Sequence, residues 1–193
     1  MPRYPAIFLD RDGTINEEMG YLNHLSRLRI LRGVPEALKR LQKAGFKLFV
    51  VTNQSGPARG YFPKELVYKI NTELSRRLKR HGVVIEDFFI CFHHPNDNCP
   101  CRKPKTGLIE EALRRYPIDT NRVYIIGDRL NDVELAKRSG FKGILVLTGY
   151  GRGEAEYLLP QSNIKPDYIA KDLREAADFI LKDSNIHQSC DFS

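Results

Sequence analysis

Ala6-Ile7-Phe8-Leu9-Asp10-Arg11-Asp12-Gly13-Thr14 decides how the chain is read. The apolar run is too short for a helix and ends in a turn-forming cluster, which predicts a buried strand carrying Asp10 at its carboxyl tip. Working outward, Val34, Leu38 and Leu41 recur at helical spacing with Pro35 in the first turn, and Lys47 to Val51 is a second strand. Val67, Ile70, Leu74 and Leu78 mark a long helix after Pro63, and Phe88 to Phe92 a third strand. Beyond it come a helix from Leu108 to Leu113, a strand from Val123 to Ile126, and a helix from Asn131 to Ser139, capped by Asn131 and stopped at Gly140. Ile144 to Leu147 and Tyr168-Ile169 read as further strands, and Asp172 to about Lys182 as the last helix. Gly149 to Pro166 reads as the longest loop. This alternation predicts an α/β fold, a mainly parallel sheet with helices on both faces, whose ligands bind beyond the carboxyl ends of strands.

A length of 193 residues predicts one compact domain, taken as 1–183, followed by a flexible tail over 184–193 that holds Cys190 as a free thiol without a role. Hydrophobic residues at 41% and charged residues at 28% suit a globular core and exclude collagen-like or disordered chains. No apolar run is long enough for a bilayer span and the amino terminus shows no signal-peptide pattern, so no membrane association and a cytoplasmic location are expected. The net charge of +7 suits phosphorylated metabolites or nucleic acid without deciding between them. Arg76, Arg77, Lys79 and Arg80 cluster on one amphipathic helix and read as a solvated face.

Three strands end in chemically capable residues: Asp10-Arg11-Asp12-Gly13-Thr14, Thr52-Asn53-Gln54-Ser55-Gly56, and Gly127-Asp128-Arg129 followed by Asp132. Bringing Asp10, Asp12 and Asp128 together costs several kcal/mol unless a cation neutralises them. All-oxygen ligation with room for water and a phosphate oxygen is what Mg2+ prefers. Lys103, after another strand, adds a positive charge opposite such a metal. Alternate residues of an extended strand end share a face, so Asp10 and Asp12 are expected to address one phosphate while Arg11 points away. Ser55 has no matching base, which leaves serine-hydrolase chemistry unsupported.

Cys91-Phe92-His93-His94-Pro95-Asn96-Asp97-Asn98-Cys99-Pro100-Cys101 supplies three thiolates and one imidazole, a full tetrahedral Zn2+ set. Cys91, His93, Cys99 and Cys101 are therefore expected to hold a structural zinc within a loop, 91–101, that has no apolar core of its own.

Residues 8 to 132 resemble, in order and spacing, the four motifs of the haloacid dehalogenase (HAD) superfamily of phosphatases. Phe8 to Thr14 resembles the first, Thr52 the second, Lys103 the third, and Gly127-Asp128 with Asp132 the fourth. The resemblance implies a Rossmann-like HAD fold without a large cap domain. It also implies that Asp10 is the nucleophile of an aspartyl-phosphate mechanism and that Asp12 is the general acid and base. Thr52 and Lys103 would hold the transferring oxygens. Mg2+ would be held by Asp10, the carbonyl of Asp12 and Asp128, with Asp132 supporting them.

The zinc loop, Val51 to Gly60 and Cys101 to Pro104 are similar to the branch containing D-glycero-D-manno-heptose 1,7-bisphosphate 7-phosphatases and histidinol-phosphatases, and Asn53 to Gly60, Gly20-Tyr21 and Thr148 to Gly151 resemble the heptose enzymes more closely. This implies removal of the 7-phosphate from the heptose bisphosphate, with histidinol phosphate as the alternative substrate. Glu18, Met19, Gly20, Tyr21, Thr52, Asn53, Gln54, Ser55, Arg102, Lys103 and Arg129 would bind substrate, the two arginines suiting a second phosphate. The sequence departs from the heptose pattern in its five-residue gap between His93 and Cys99, in Phe92 where proline is common, and in Arg129 where lysine is frequent. The partner is then a small phosphorylated sugar, met by a monomer, with no nucleic acid. A DNA 3'-phosphatase and a zinc-containing nucleic-acid-binding module are the competing readings.

Overall fold

The computed structural model describes residues 2–190, with side chains described through 184. Six strands form one sheet in the order β3-β2-β1-β4-β5-β6. They are β1 (Tyr4–Leu9), β2 (Lys47–Asn53), β3 (Asp87–Cys91), β4 (Ile118–Gly127), β5 (Lys142–Val146) and β6 (Tyr168–Ala170), and every pairing is parallel. The helices are α1 (Val34–Lys43), α2 (Lys64–Lys79), α3 (Gly107–Arg115), α4 (Leu130–Ser139), α5 (Gly151–Gly153) and α6 (Leu173–Cys190).

The central strands are apolar on both faces because both are covered. Ile7, Leu9, Leu48, Val50, Tyr124 and Ile126 point into a core closed by α1, α2 and α6. Their neighbours Ala6, Phe8, Phe49, Val51, Val123 and Ile125 point into a second core closed by α3 and α4. Fully burying one such aliphatic side chain contributes roughly 1.5–3 kcal/mol, so these two layers dominate the fold's stability.

The chain builds outward from β1 to β3, then returns to lay β4 on the other side of β1. That reversal opens a crevice between the carboxyl ends of β1 and β4. Asp10 and Asp128 follow those two ends. The segments after β1 and β2 are loops and turns, with no cap domain among the described residues, and Tyr21 and Tyr61 join them edge to face at 4.8 Å.

Three local expectations are corrected. The stretch expected as the longest loop is helical over much of its length, α5 passing into a π-helical turn (Glu154–Leu158) and a 3-10 turn (Leu159–Gln161). Asn131 lies inside α4 and does not cap it; Arg129 holds the cap position, and Glu154 Oε2 accepts the Leu130 N–H at 3.0 Å. Asp172 precedes α6 as its cap, accepting the amides of Arg174 and Glu175 at 2.8 and 3.1 Å. That helix continues past Lys182 to Cys190. The backbone over 184–190, within the expected flexible tail, is thus part of α6, whereas the side chains of 185–190, the Cys190 thiol among them, and all of 191–193 lie outside the described residues. No helix of the described residues is long and apolar enough to cross a membrane.

Candidate active site

The β1–β4 pairing sets the site. Leu9 is in register with Ile126, and the Asp10 N–H donates to the Ile126 carbonyl at 2.8 Å, so the chain beyond each strand emerges side by side. Two glycines let the backbone close around Asp128. Gly13 has φ +82° and a Cβ there would stand 2.1 Å from Asp128 Oδ2; at Gly149, φ +54°, it would meet the same oxygen at 2.1 Å and Gly13 Cα at 2.6 Å. The Tyr150 N–H then donates to Asp128 Oδ2 at 2.8 Å.

Lys103 enters from the loop after β3. Its backbone is clasped by Asn53, which accepts the Lys103 N–H at 3.1 Å and donates to the Lys103 carbonyl at 3.2 Å. The buried ammonium donates to Asp10 and Asp132 at 2.6 Å each and to the Val51 carbonyl at 2.9 Å. Burial alone would weaken its hold on the proton, but the two carboxylates outweigh burial and keep it charged well above the ordinary lysine range.

Asp10, Asp128 and Asp132 each offer an oxygen within 4.8 Å of the others. Two carboxylates about 4 Å apart repel by roughly 4 kcal/mol at an effective dielectric of 20, and one ammonium against three carboxylates leaves a double deficit. Burial, opposed by Lys103 and reinforced by Asp132 and Asp12, raises Asp10 to about 7. Burial and then Asp10 raise Asp128 to about 8. Asp128 Oδ1 is buried without a hydrogen-bond partner. The charge deficit and the unengaged oxygen both fit a hard dication ligated by oxygen. Asp132 is engaged otherwise, through Lys103 and through the Arg129 N–H at 3.3 Å.

The expectation that Arg11 simply points away from the site needs correction. Arg11 is 1% exposed, and its guanidinium turns back to Asp12 at 2.7 and 3.2 Å and to Asn71 of α2 at 3.0 Å. Asp12 also accepts from Asn16 and Gln54 at 2.8 Å each. Burial pushes the Asp12 carboxyl up, but Arg11 and these hydrogen bonds outweigh it and hold it below the usual carboxylate range. Gln54 donates to the Thr52 hydroxyl as well, at 2.9 Å, linking the second strand end to the first.

Asp10, Asp12, Thr52, Asn53, Gln54, Lys103 and Asp132 open into a cavity of about 270 Å³, lined also by Glu18, Gly20, Tyr21, Ser55, Arg102 and Arg129, whereas Asp128 is not among its lining residues. Met19 does not line it and packs on the α1/α2 core. Leu22 lines it unexpectedly, as do Asn131, expected only as a helix cap, and Tyr150, expected only within the Thr148 to Gly151 segment. Arg102 Nη1 is buried with no partner. Among the described residues the Arg129 guanidinium makes no hydrogen bond or ion pair; it lies over the Tyr150 ring, 3.8 Å from its centroid.

Beside the cavity, Cys91, Cys99 and Cys101 sulfurs lie 3.2–3.6 Å apart, and His93 Nδ1 is 3.2 Å from Cys101 Sγ and 3.7 Å from Cys91 Sγ. Disulfide sulfurs would be near 2 Å. Tetrahedral Zn2+ with bonds of about 2.3 Å sets sulfurs about 3.8 Å apart, so the donor set fits that ion. Burial, with the hydrogen bond to Cys101, pushes the Cys91 thiol up to about 12. His94 is committed elsewhere, accepting the Asn96 N–H and donating its own N–H to Asp97.

Residues 100–176 match the HAD-hydrolase-like family model. A D-glycero-D-manno-heptose-1,7-bisphosphate 7-phosphatase from Thermosynechococcus vestitus is 37% identical over 93% of this chain and 96% of its own length. The chain belongs to the heptose-bisphosphate phosphatase family. A Haemophilus ducreyi member of the family, the D-glycero-beta-D-manno-heptose-1,7-bisphosphate 7-phosphatase, is 40% identical over 75% of this chain and 84% of its own. The crystal structure of the family's D,D-heptose 1,7-bisphosphate phosphatase from B. bronchiseptica, complexed with magnesium and phosphate, superimposes with a TM-score of 0.85 at 34% identity, covering 93% of this chain and 99% of that one. As in the family, the present chain is a phosphatase with a HAD-like Rossmann fold.

Proposed function

We propose that the protein removes the 7-phosphate of D-glycero-D-manno-heptose 1,7-bisphosphate in a Mg2+-dependent reaction. The observation that carries the bisphosphate is the pair of unengaged guanidinium groups, Arg102 and Arg129, lining the same cavity as Asp10 and Lys103. One phosphate is served by Lys103 and Thr52; two further cations suit a second.

In this reading Asp10 attacks phosphorus in line, its carboxylate oxygen forming a bond as the bond from phosphorus to the sugar oxygen breaks. Asp12 delivers a proton to the departing oxygen, then takes one from the water that cleaves the aspartyl-phosphate. In the structure Asp12 is held ionised by Arg11; approach of the anionic phosphate raises its proton affinity and suits it to the first of these tasks. Lys103 and Thr52 hold the transferring oxygens. Asp10, the Asp12 carbonyl and Asp128 would hold Mg2+, with Asp132 positioning Lys103. Bound Mg2+ supplies positive charge to the phosphate oxygens. Cys91, His93, Cys99 and Cys101 would hold a structural Zn2+ that fixes the approach to Lys103. Glu18 to Tyr21 and Asn53 to Ser55 would complete the substrate wall, Asn53 through Lys103. A cytoplasmic, monomeric enzyme acting on small sugar phosphates belongs to the same proposal.

The short gap between His93 and Cys99 favours histidinol phosphate as a second reading, but that substrate carries a cationic amine that two guanidinium groups would repel. The test is Mg2+-dependent phosphate release from both heptose bisphosphate anomers and from histidinol phosphate, with D10N as the inactive control. A heptose anomer is expected to lead in kcat/KM. A preference of more than about tenfold, 1.4 kcal/mol, for histidinol phosphate would overturn the assignment.

A further inference from the structure

We infer that Tyr150 is a positioning residue: its ring presents the Arg129 guanidinium, already oriented, to the phosphate that is not hydrolysed. The inference rests on the bisphosphate reading above.

The backbone at residue 150 is fixed from several directions. Its N–H is bound to Asp128, and Gly149 is pressed against Asp128 and Gly13. A Cβ on Gly151 would lie 1.8 Å from the Val146 carbonyl oxygen, so this residue too sits hard against the sheet. On the opposite strand end, Asp132 binds the Arg129 N–H and Glu154, one helical turn beyond Tyr150, binds the Leu130 N–H. The ring and the arginine backbone thus hang from one cross-linked frame.

Between them stands a contact of 3.8 Å from the guanidinium carbon to the ring centroid. Stacking uses the face of the guanidinium, whereas its N–H donors lie in the plane of the group. The ring therefore restricts a long side chain without engaging a single donor. Arg129 is exposed and makes no direct hydrogen bond or ion pair among the described residues; the Glu18 and Asp128 carboxylates feel its charge without binding its donors, which stay open to an anion. An arginine held this way loses less rotamer freedom when an anion arrives than one waving in solvent. A lysine ammonium has no planar face to lay on the ring, which makes Arg129 and Tyr150 a matched pair.

The test compares KM and kcat for heptose 1,7-bisphosphate and for heptose 7-phosphate in the wild type, Y150L, Y150F, R129A and Y150L/R129A. The wild type is expected to favour the bisphosphate through KM. Y150L should raise KM for the bisphosphate by about tenfold, with kcat and the monophosphate KM moving less than about twofold. Y150F keeps the ring and should restore KM. In the double variant Y150L should add nothing to R129A. A bisphosphate-selective wild type combined with an unchanged KM in Y150L, an equal rise for both substrates, Y150F as poor as Y150L, or an additive cycle would each overturn the role of Tyr150. A wild type indifferent to the second phosphate would instead overturn the bisphosphate reading beneath it.

Discussion

Asp128 has almost no room to move. One oxygen is bound by the Tyr150 amide and hemmed in by Gly13 and Gly149, while the other is buried without a protein partner. G149A places a methyl group where that oxygen and the Gly13 backbone now lie. Neither neighbour is a flexible chain end, so the loop must shift. The expected outcome is a loss of about 1–3 kcal/mol in urea denaturation, accompanied by weaker Mg2+ activation. Full activity at wild-type Mg2+ affinity would show that the close approach is dispensable. D10N makes the complementary case: with an amide for a carboxylate the nucleophile is gone, and phosphate release should fall to background while the circular dichroism spectrum is retained.

The zinc-type cluster belongs to the scale of elements, because it joins the end of β3 to the loop that carries Lys103. Cys91 is the last residue of β3, and its carbonyl also accepts the Gln54 N–H at 2.7 Å. C99A should lose bound zinc, measured as metal per chain, together with several degrees of melting temperature and most of the activity. One zinc per chain at unchanged stability would refute the structural assignment.

On the other side of the site, Glu73 of α2 receives both Arg76 and Arg77, and Arg77 reaches the Leu28 carbonyl at 2.7 Å. The segment that follows pairs with residues 15–17, just behind Asp12. The hydrogen bonds from Arg76 and Arg77 depress the Glu73 carboxyl to about 2 from 4.5. Its folded-state value lies below its unfolded one, so its stabilisation is present above pH 4.5 and vanishes as pH falls through about 2. The melting-temperature gap between wild type and E73Q should therefore be open at neutral pH and narrow across that window. A gap that stays constant down to pH 2 would contradict the pairing.

Elements of this kind differ in how plainly the sequence announces them. The strands are legible because a centrally placed parallel strand is apolar on both faces, as Ile7 and Phe8 are, and such runs have few other uses. The helical turns over 151–161 are not legible, since Gly151, Gly153 and Pro160 argue for a loop and the segment owes its helix to contacts such as Glu154 with Leu130. Among site residues, Asp10, Asp12 and Asp128 stand at or just past strand ends, and with Lys103, in the loop after β3, they are found from the motif resemblance. The grip of Asn71 on Arg11 depends on where α2 lands against β1. The use of Tyr150 depends on a loop crossing back to β4. Neither use leaves a local pattern of its own, although Tyr150 falls within the Thr148 to Gly151 segment that carries the resemblance.

For the molecule as a whole, the sign of charge matters less than where it lies. The chain is basic at +7, but much of that excess is on outward-facing helices, as with Arg76 in its pair with Glu73 and Arg138 in its pair with Glu134. The site itself is a mixed field of carboxylates and cations sized for a small anion. Fluorescence titration with single- and double-stranded DNA should find only weak association that disappears at physiological salt; tight binding that persists there would revive the nucleic-acid readings.

The hydroxyl of Thr148 donates to the carbonyl of Gly13 across 135 positions of chain, tying the last part of the cavity wall to the first. During synthesis, therefore, Asp10, the proposed nucleophile, is made early, but its surroundings close only once residue 148 has been delivered, and a product truncated before that point carries the side chain without its finished chamber.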